Sequence, residues 1–386
     1  MRILFINSLR KVGGGERWLL EVSEALALRG HETAFAVREG GDLGRMVRSD
    51  GRRVLELPMR GDGDVQSMVR LARWTREFGA ELVSVNVQRA VRIGAPAARA
   101  AGVRAVVERR GLLFPLRPTA LNRFVYGRLV SRVIANCGAI SDDLVGSGLL
   151  PRDRVTVIPN GIDVARIRNG DGSNLRADQG FETDAPLVAV VGRLVPDKGH
   201  AIAIKAFAEV LKIRPDARLL VVGSGQLEEK LKSLAGELLP EGSHRFLGQR
   251  SDIGDILAGV DVVLVTSFRE GMPHVVLEAM AAGRAIVATT VAGIPEMLRD
   301  GTDGLLVPPG SHTAAAAAVG RVLSEPALAE SLARSAAERV ESEFSLDAMV
   351  DRVERCFELE VEAAAGLATD GERAPGGVRG GEGAPR

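Results

Sequence analysis

Residues 261–283 read DVVLVTSFREGMPHVVLEAMAAG and carry two carboxylates eight positions apart, Glu270 and Glu278. An apolar strand, Asp261 to Thr266, empties into a short loop with Ser267, Arg269 and Glu270. A turn through Gly271, Met272 and Pro273 then opens a helix with His274, Val275 and Val276 in its first turn and Glu278 beyond them. Strand, polar loop, Gly/Pro turn and helix is an order that sets ligand groups at the C-terminal edge of a parallel sheet. Pro273 suits the first helical turn, where its missing N–H has no intrahelical role. The free N–H groups of that turn can seat a phosphate. Glu270 on the lip and Glu278 about two turns away would serve different parts of one ligand. The plainer reading is two solvated glutamates. Apolar Val275, Val276, Leu277, Ala279 and Met280 weaken it, because a carboxylate among such neighbours is costly unless paired.

Two cations stand in a matching place. Arg193 and Lys198 follow the strand Leu187 to Val191 and the turn at Gly192. In a parallel sheet they reach the same edge as residues 267–278. Fixed cations beside a helix N-terminus bind a diphosphate and neutralise charge on a departing phosphate; surface solvation is the alternative for either one alone. Gly223 and Gly225 end a neighbouring strand, where they admit a nucleotide or simply make a turn. Near the N-terminus, Gly13-Gly14-Gly15-Glu16 links the first strand, Ile3 to Asn7, to a helix with Trp18, Leu19, Val22 and Leu26 on one face. Three glycines let a ligand or a loop approach the backbone. The dinucleotide fingerprint is absent, since its third glycine is missing.

The elements that must hold these groups alternate strand and helix along the chain, so the fold class is α/β with mostly parallel sheets covered on both faces. At 386 residues two domains are expected. The first spans 1–168, a polar, glycine-rich linker 169–186, and the second domain 187–345. A helix follows over 346–360, and 361–386, rich in Gly and Ala, is expected to be disordered.

Composition narrows the function. Net charge is zero, yet residues 1–180 hold 29 Lys and Arg against 19 Asp and Glu, and the remainder 21 against 31. A basic first half favours an anionic acceptor or an anionic membrane surface; complementary packing between the halves explains it equally well. Basic residues are scattered, with few aromatics among them, so nucleic acid is not an expected partner. No apolar run is long enough for a membrane span. The segment after Met1, with Arg2 and Asn7, lacks a signal-peptide pattern, so a cytoplasmic location is expected, free or at the inner face of the membrane. Cys137 and Cys356 read as buried apolar side chains rather than a disulfide.

An ordered series of motifs resembles the retaining glycosyltransferases of family 4. It comprises GGGE (13–16), VIPNGID (157–163), VGRLVPDKGH (191–200), VVGSG (221–225), FLGQRSDI (246–253), SFREGMPHVVLEAMAAG (267–283) and GIPEMLRDGTDGLLVPPG (293–310). The resemblance implies the GT-B fold: two Rossmann-like domains facing across a deep cleft, with the last helix crossing back to the first. It implies transfer of a sugar from a UDP-, GDP- or ADP-linked donor to a hydroxyl of a sugar, lipid-linked or polysaccharide acceptor, without a cofactor or metal. Arg193 and Lys198 would clamp the diphosphate, Glu270 would orient the donor sugar, and Glu278 would take the ribose hydroxyls. Backbone groups of Gly271, Met272, Pro273, His274, Val275 and Val276 would hold the sugar and β-phosphate. Gly192, Gly223, Gly225 and Arg250 would line the nucleotide, and Gly14 and Gly15 would approach from the first domain. Glu16, Asn86, Arg109 and Arg110 would face the acceptor. One departure stands out. The family commonly has a segment like D-x-x-H-x-H on the fourth strand, whereas this chain reads ELVSVNVQ, with Ser84 and Asn86 at those places. A nucleotide-sugar epimerase, a phosphorylase or a non-catalytic nucleotide-sugar-binding protein would share the same plan.

Overall fold

The computed structural model describes residues 1–366. Its internal contacts divide the described residues into two units, one made of Met1–Pro159 with 350–366, the other of Asn160–Met349.

The first unit is built on seven strands: β1 (Arg2–Asn7), β2 (Glu32–Arg38), β3 (Arg53–Leu57), β4 (Leu82–Val85), β5 (Ala105–Arg110), β6 (Arg132–Ala135) and β7 (Val155–Val157). They lie in the order β3-β2-β1-β4-β5-β6-β7, all parallel. Strand β1, RILFIN, is buried from Ile3 to Asn7 because helices cover both of its faces. Phe5 pairs in register with Phe35 and stacks on it at 5.7 Å. The helix Leu346–Ala365 runs further than the expected 346–360. Val350, Val353 and Phe357, spaced for one helical face, are fully buried, and Phe357 lies 6.5 Å from the Phe5 ring. Arg29 and His31 hold Glu354, and Arg132 holds Glu360 at 2.5 Å, fixing the helix on the first unit. Of the tail expected to be disordered, 361–365 continue this helix, and 367–386 lie outside the described residues.

The second unit has six parallel strands: β8 (Leu187–Val191), β9 (Arg218–Val222), β10 (His244–Gly248), β11 (Val262–Val265), β12 (Ala285–Thr289) and β13 (Leu305–Val307). The order β10-β9-β8-β11-β12-β13 is that of a dinucleotide-binding sheet. Val188, Val190, Val262, Leu264 and Val287 pack against Ile204, Phe207 and Val319 from the covering helices. The two units are thus both Rossmann-like, the pair that defines the GT-B fold.

The segment 169–186 differs from a linker. It carries a short helix, Leu175–Asp178, and packs within the second unit. Arg176 donates to the Gly259 carbonyl at 2.8 Å and pairs with Asp261 at 2.7 Å. Gly170 lies so close to Gly254 that a Cβ would collide with its backbone. Here glycine serves close packing, a use that composition cannot separate from flexibility.

In an open parallel sheet the strand order reverses at one point, and ligands bind outside the carboxyl ends of the strands there. In the second unit this point lies between β8 and β11, whose exits are residues 192–199 and 266–273. In the first it lies between β1 and β4.

Candidate active site

The two loops at the second switch point are joined by backbone and hydroxyl bonds. The Phe268 N–H donates to the Asp197 carbonyl at 2.8 Å, and Thr266 Oγ1 donates to the Gly199 carbonyl at 2.9 Å. Gly199 has φ +66°, and a Cβ there would strike the Thr266 carbonyl oxygen, so no other residue lets the loops close this tightly. Gly223 plays the same part on the other side: it has φ +140°, and its Cβ would collide with the Gly192 carbonyl.

This framework brings Lys198 onto Glu270, Nζ to Oε1 at 2.5 Å. Ser267 Oγ donates to the same oxygen at 2.6 Å, and Thr289 Oγ1 fixes the Ser267 carbonyl at 2.7 Å. The Glu270 side chain is 4% exposed and the Lys198 side chain 22%, so the cation is the member of the pair that meets solvent. Arg193 is exposed and has no side-chain partner among the described residues.

The helix expected after the Gly/Pro turn runs His274–Ala281, with Pro273 as its N-cap rather than inside the first turn. Two bonds pin the turn: Asn160 Nδ2 to the Met272 carbonyl at 2.8 Å, and the Gly293 N–H to the Gly271 carbonyl at 3.1 Å. Gly271, Met272, Pro273 and Val276 are buried, His274 and Val275 half-buried, and Glu278 is 4% exposed on the same helix. The backbone expected to line a base is contiguous: the Gly223 N–H donates to the Gly248 carbonyl at 2.7 Å. Gly225 abuts Leu194, its Cβ position 2.5 Å from that carbonyl oxygen. The Arg250 side chain is occupied by Asp252, Nε to Oδ1 at 2.8 Å.

In the first unit the glycine-rich turn also lies at a switch point. Gly14 and Gly15 begin the helix Gly14–Leu28. Glu16 points back, accepting from the Gly13 N–H at 2.9 Å and from Asn7 Nδ2 at 2.7 Å, and is 2% exposed. Asn86 leaves β4 and donates to the Gly15 carbonyl at 2.8 Å. The next residue, Val87, has φ +142°, a conformation a β-branched side chain adopts only when its surroundings force it. Arg109 lies over the Trp18 ring at 5.0 Å. Burial pushes its guanidinium down to about 10, with Glu16 opposing. Arg110 is tied to Phe114, donating to that carbonyl at 2.8 Å, and to Glu108 at 3.5 Å, so it anchors the following loop. Burial raises the Glu108 carboxyl above the usual carboxylate range, with Arg110 opposing.

Models of two protein families match successive parts of the chain: Glycosyltransferase Family 4 over residues 12–166 and Glycosyl transferases group 1 over 171–339. The chain belongs to glycosyltransferase family 4. A D-inositol 3-phosphate glycosyltransferase of Actinosynnema mirum is 35% identical over 216 residues, 53% of this chain and 52% of that protein. The lipopolysaccharide core biosynthesis glycosyltransferase LpsE of Rhizobium meliloti is 31% identical over 229 residues, 59% and 64% respectively. The chain thus spans less than two thirds of the length of these curated relatives. Anabaena HepE, crystallised with UDP and glucose, superposes with a TM-score of 0.81 at 24% identity, covering 93% of this chain and 99% of that one.

Within this family 4 chain, Ser84 and Asn86 take the places where histidines are common. Ser84 is buried on β4, and Asn86 is committed to the Gly15 backbone. Ser267, Asn160 and Asn7 support the site through partners that the sequence does not show. Asn160 sits in VIPNGID, where Asn-Gly reads as a turn; only the fold shows it holding Met272 112 residues away. Among the described residues no group of three or more His, Cys, Asp or Glu side chains is arranged to hold a metal. No helix among them is long and apolar enough to cross a membrane, and both cysteines are free and buried.

Proposed function

We propose that this family 4 chain is a retaining glycosyltransferase that moves a sugar from a nucleoside-diphosphate sugar to an acceptor hydroxyl in glycan, glycolipid or polysaccharide synthesis, with no cofactor or metal. The observation that carries this reading is the Lys198–Glu270 pair at the switch point of the second sheet, with Arg193 exposed on the same loop as Lys198. The names of the relatives, and the UDP and glucose in the HepE crystal, support it.

The acceptor oxygen bonds to the anomeric carbon on the face that the diphosphate leaves. The bond from that carbon to the phosphate oxygen breaks, its electron pair stays on the phosphate, and the acceptor proton passes to a phosphate oxygen. Lys198 and Arg193 stabilise the charge that develops there. Glu270, fixed by Ser267, orients the sugar hydroxyls, and Glu278 accepts from the ribose. Backbone groups of 271–276 hold the sugar, and those of 223–225 and 247–250 the base. In this reading the second unit serves the donor. The first serves the acceptor near Asn86 and Arg109, while Glu16 and Arg110 hold the surrounding backbone.

The acceptor side also fits an anionic membrane surface at the cytoplasmic face. Leu112, Phe114, Leu121 and Phe124 are exposed by 39% to 57%, among exposed Arg117, Arg123 and Arg128, a mixture of apolar anchors and cations suited to such a surface.

The test is turnover of UDP-, GDP- and ADP-sugars with candidate acceptors, reading the anomeric configuration of the product by NMR. Acceptor-dependent transfer with retention is expected. Turnover without acceptor would point to an epimerase, dependence on free phosphate to a phosphorylase, and binding without turnover to a binding protein; each would overturn the proposal.

A further inference from the structure

His200 follows Gly199 directly and opens the helix His200–Val210 at the exit of β8. It is 3% exposed, and neither ring nitrogen has a hydrogen-bond partner. Buried polar side chains are nearly always hydrogen-bonded, and an exception in a folded protein marks a missing water, a ligand or a catalytic task. A phenylalanine or leucine would fill this volume without leaving two polar atoms unsatisfied.

The orientation of the ring gives the exception a direction. Its Cε1, the carbon between the two nitrogens, lies 3.9 Å from the position a Cβ on Gly192 would take. Lys198 Cδ lies 3.9 Å from the same point. The Cε1 edge of the imidazole, with a ring nitrogen on each side of it, therefore borders the spot in front of Gly192 that the Lys198 stem also borders. Gly192, having no side chain, does not fill that spot.

We propose that His200 is a third side chain of the diphosphate site, its ring N–H donating to a phosphate oxygen that lies against Gly192 beside Lys198. This rests on the nucleotide-sugar reading given above. Burial, with the Lys198 charge adding to it, keeps the imidazole neutral at physiological pH. A neutral ring has one N–H to give and one nitrogen to accept, so it can bond a phosphate oxygen without adding a second fixed charge behind Lys198. His200 thereby binds and positions the leaving group; it does not move a proton in the transfer.

The test is titration of UDP, GDP and ADP, with the matching monophosphates, into wild type, His200→Phe and His200→Gln. His200→Phe should weaken diphosphate binding about tenfold, the worth of one hydrogen bond to a charged group. Monophosphate affinity should stay within about twofold of wild type, because that ligand lacks the outer phosphate. Gln keeps an N–H donor and should restore most of the loss. Equal diphosphate affinity in wild type and His200→Phe would overturn the inference and make His200 a filler of the core. No diphosphate binding by wild type would instead overturn the nucleotide-sugar reading, and the inference with it. If His200→Phe does not fold, the wild-type protein labelled with 15N-histidine decides. The imidazole nitrogen resonances assigned to His200 should shift on adding the diphosphate that binds; unchanged resonances would refute the contact.

Discussion

Lys198 and Glu270 are 72 residues apart in sequence and 2.5 Å apart in space, and the carboxylate is the more deeply buried of the two. The pair stores a cation at the sheet edge in a neutralised form. In the proposed reaction an arriving diphosphate would compete with Glu270 for Lys198 and would free the carboxylate for the sugar hydroxyls. Charge stabilisation and substrate positioning would then be two halves of one contact.

Lys198→Met should lower turnover by about 10²–10³-fold, the usual effect of losing one group that stabilises developing charge. It should also destabilise the fold by about 3–5 kcal/mol, because Glu270 is left buried without its cation. Adding Glu270→Gln should recover most of the stability and none of the turnover. Denaturant unfolding and initial rates on the three proteins check this; recovery of both together would sink the assignment.

Glu278→Gln should weaken nucleoside-diphosphate binding about tenfold, as for a lost charged hydrogen bond. The matching 2′,3′-dideoxy diphosphate, which has no hydroxyls to offer, should bind both proteins equally. If the variant loses affinity for both ligands alike, Glu278 does not read the ribose.

Gly199→Ala should cost about 2–4 kcal/mol, combining a strained φ with a clash against Thr266. The loops leaving β8 and β11 would separate, so donor affinity should fall with stability. A thermal melt near wild type would show that the loops tolerate more room than their geometry implies.

His200 should make the fold acid-sensitive. Burial, then Lys198, lower its pKa from the ordinary 6.5 to about 4. The unfolded chain therefore takes up a proton that the folded chain resists, and stability falls as the pH drops from 6.5 toward 4. By pH 5 the loss should reach about 2 kcal/mol relative to pH 8. His200→Phe should remove that part of the dependence, leaving the smaller contribution of same sign from His244, also lowered by burial and Arg245. Parallel pH–stability curves for wild type and variant would contradict it.

Much of this was legible in the residues. Strand–loop–helix order, together with Arg193, Lys198, Glu270 and Glu278 at the exits of apolar runs, led to the switch-point site, because alternation and strand ends are local properties. Partnerships are not local. Nothing in GGGE tells whether Glu16 faces an acceptor or turns back to cap its own helix, and it caps. Arg109 and Arg110 leave the same strand, yet one lies over Trp18 and the other anchors Phe114. Segment 169–186 has the glycine and polar content of a linker, and only the fold shows its backbone packed against Gly254 and Gly259.

In the proposed reaction residues 192–199 hold the pyrophosphate of an activated sugar. Calorimetric titration of nucleoside di- and monophosphates into wild type and an Arg193→Met/Lys198→Met variant tests it most directly. The double variant should lose about 100-fold or more in diphosphate affinity while its monophosphate affinity barely changes. Equal losses for both ligands, or none for either, would contradict it.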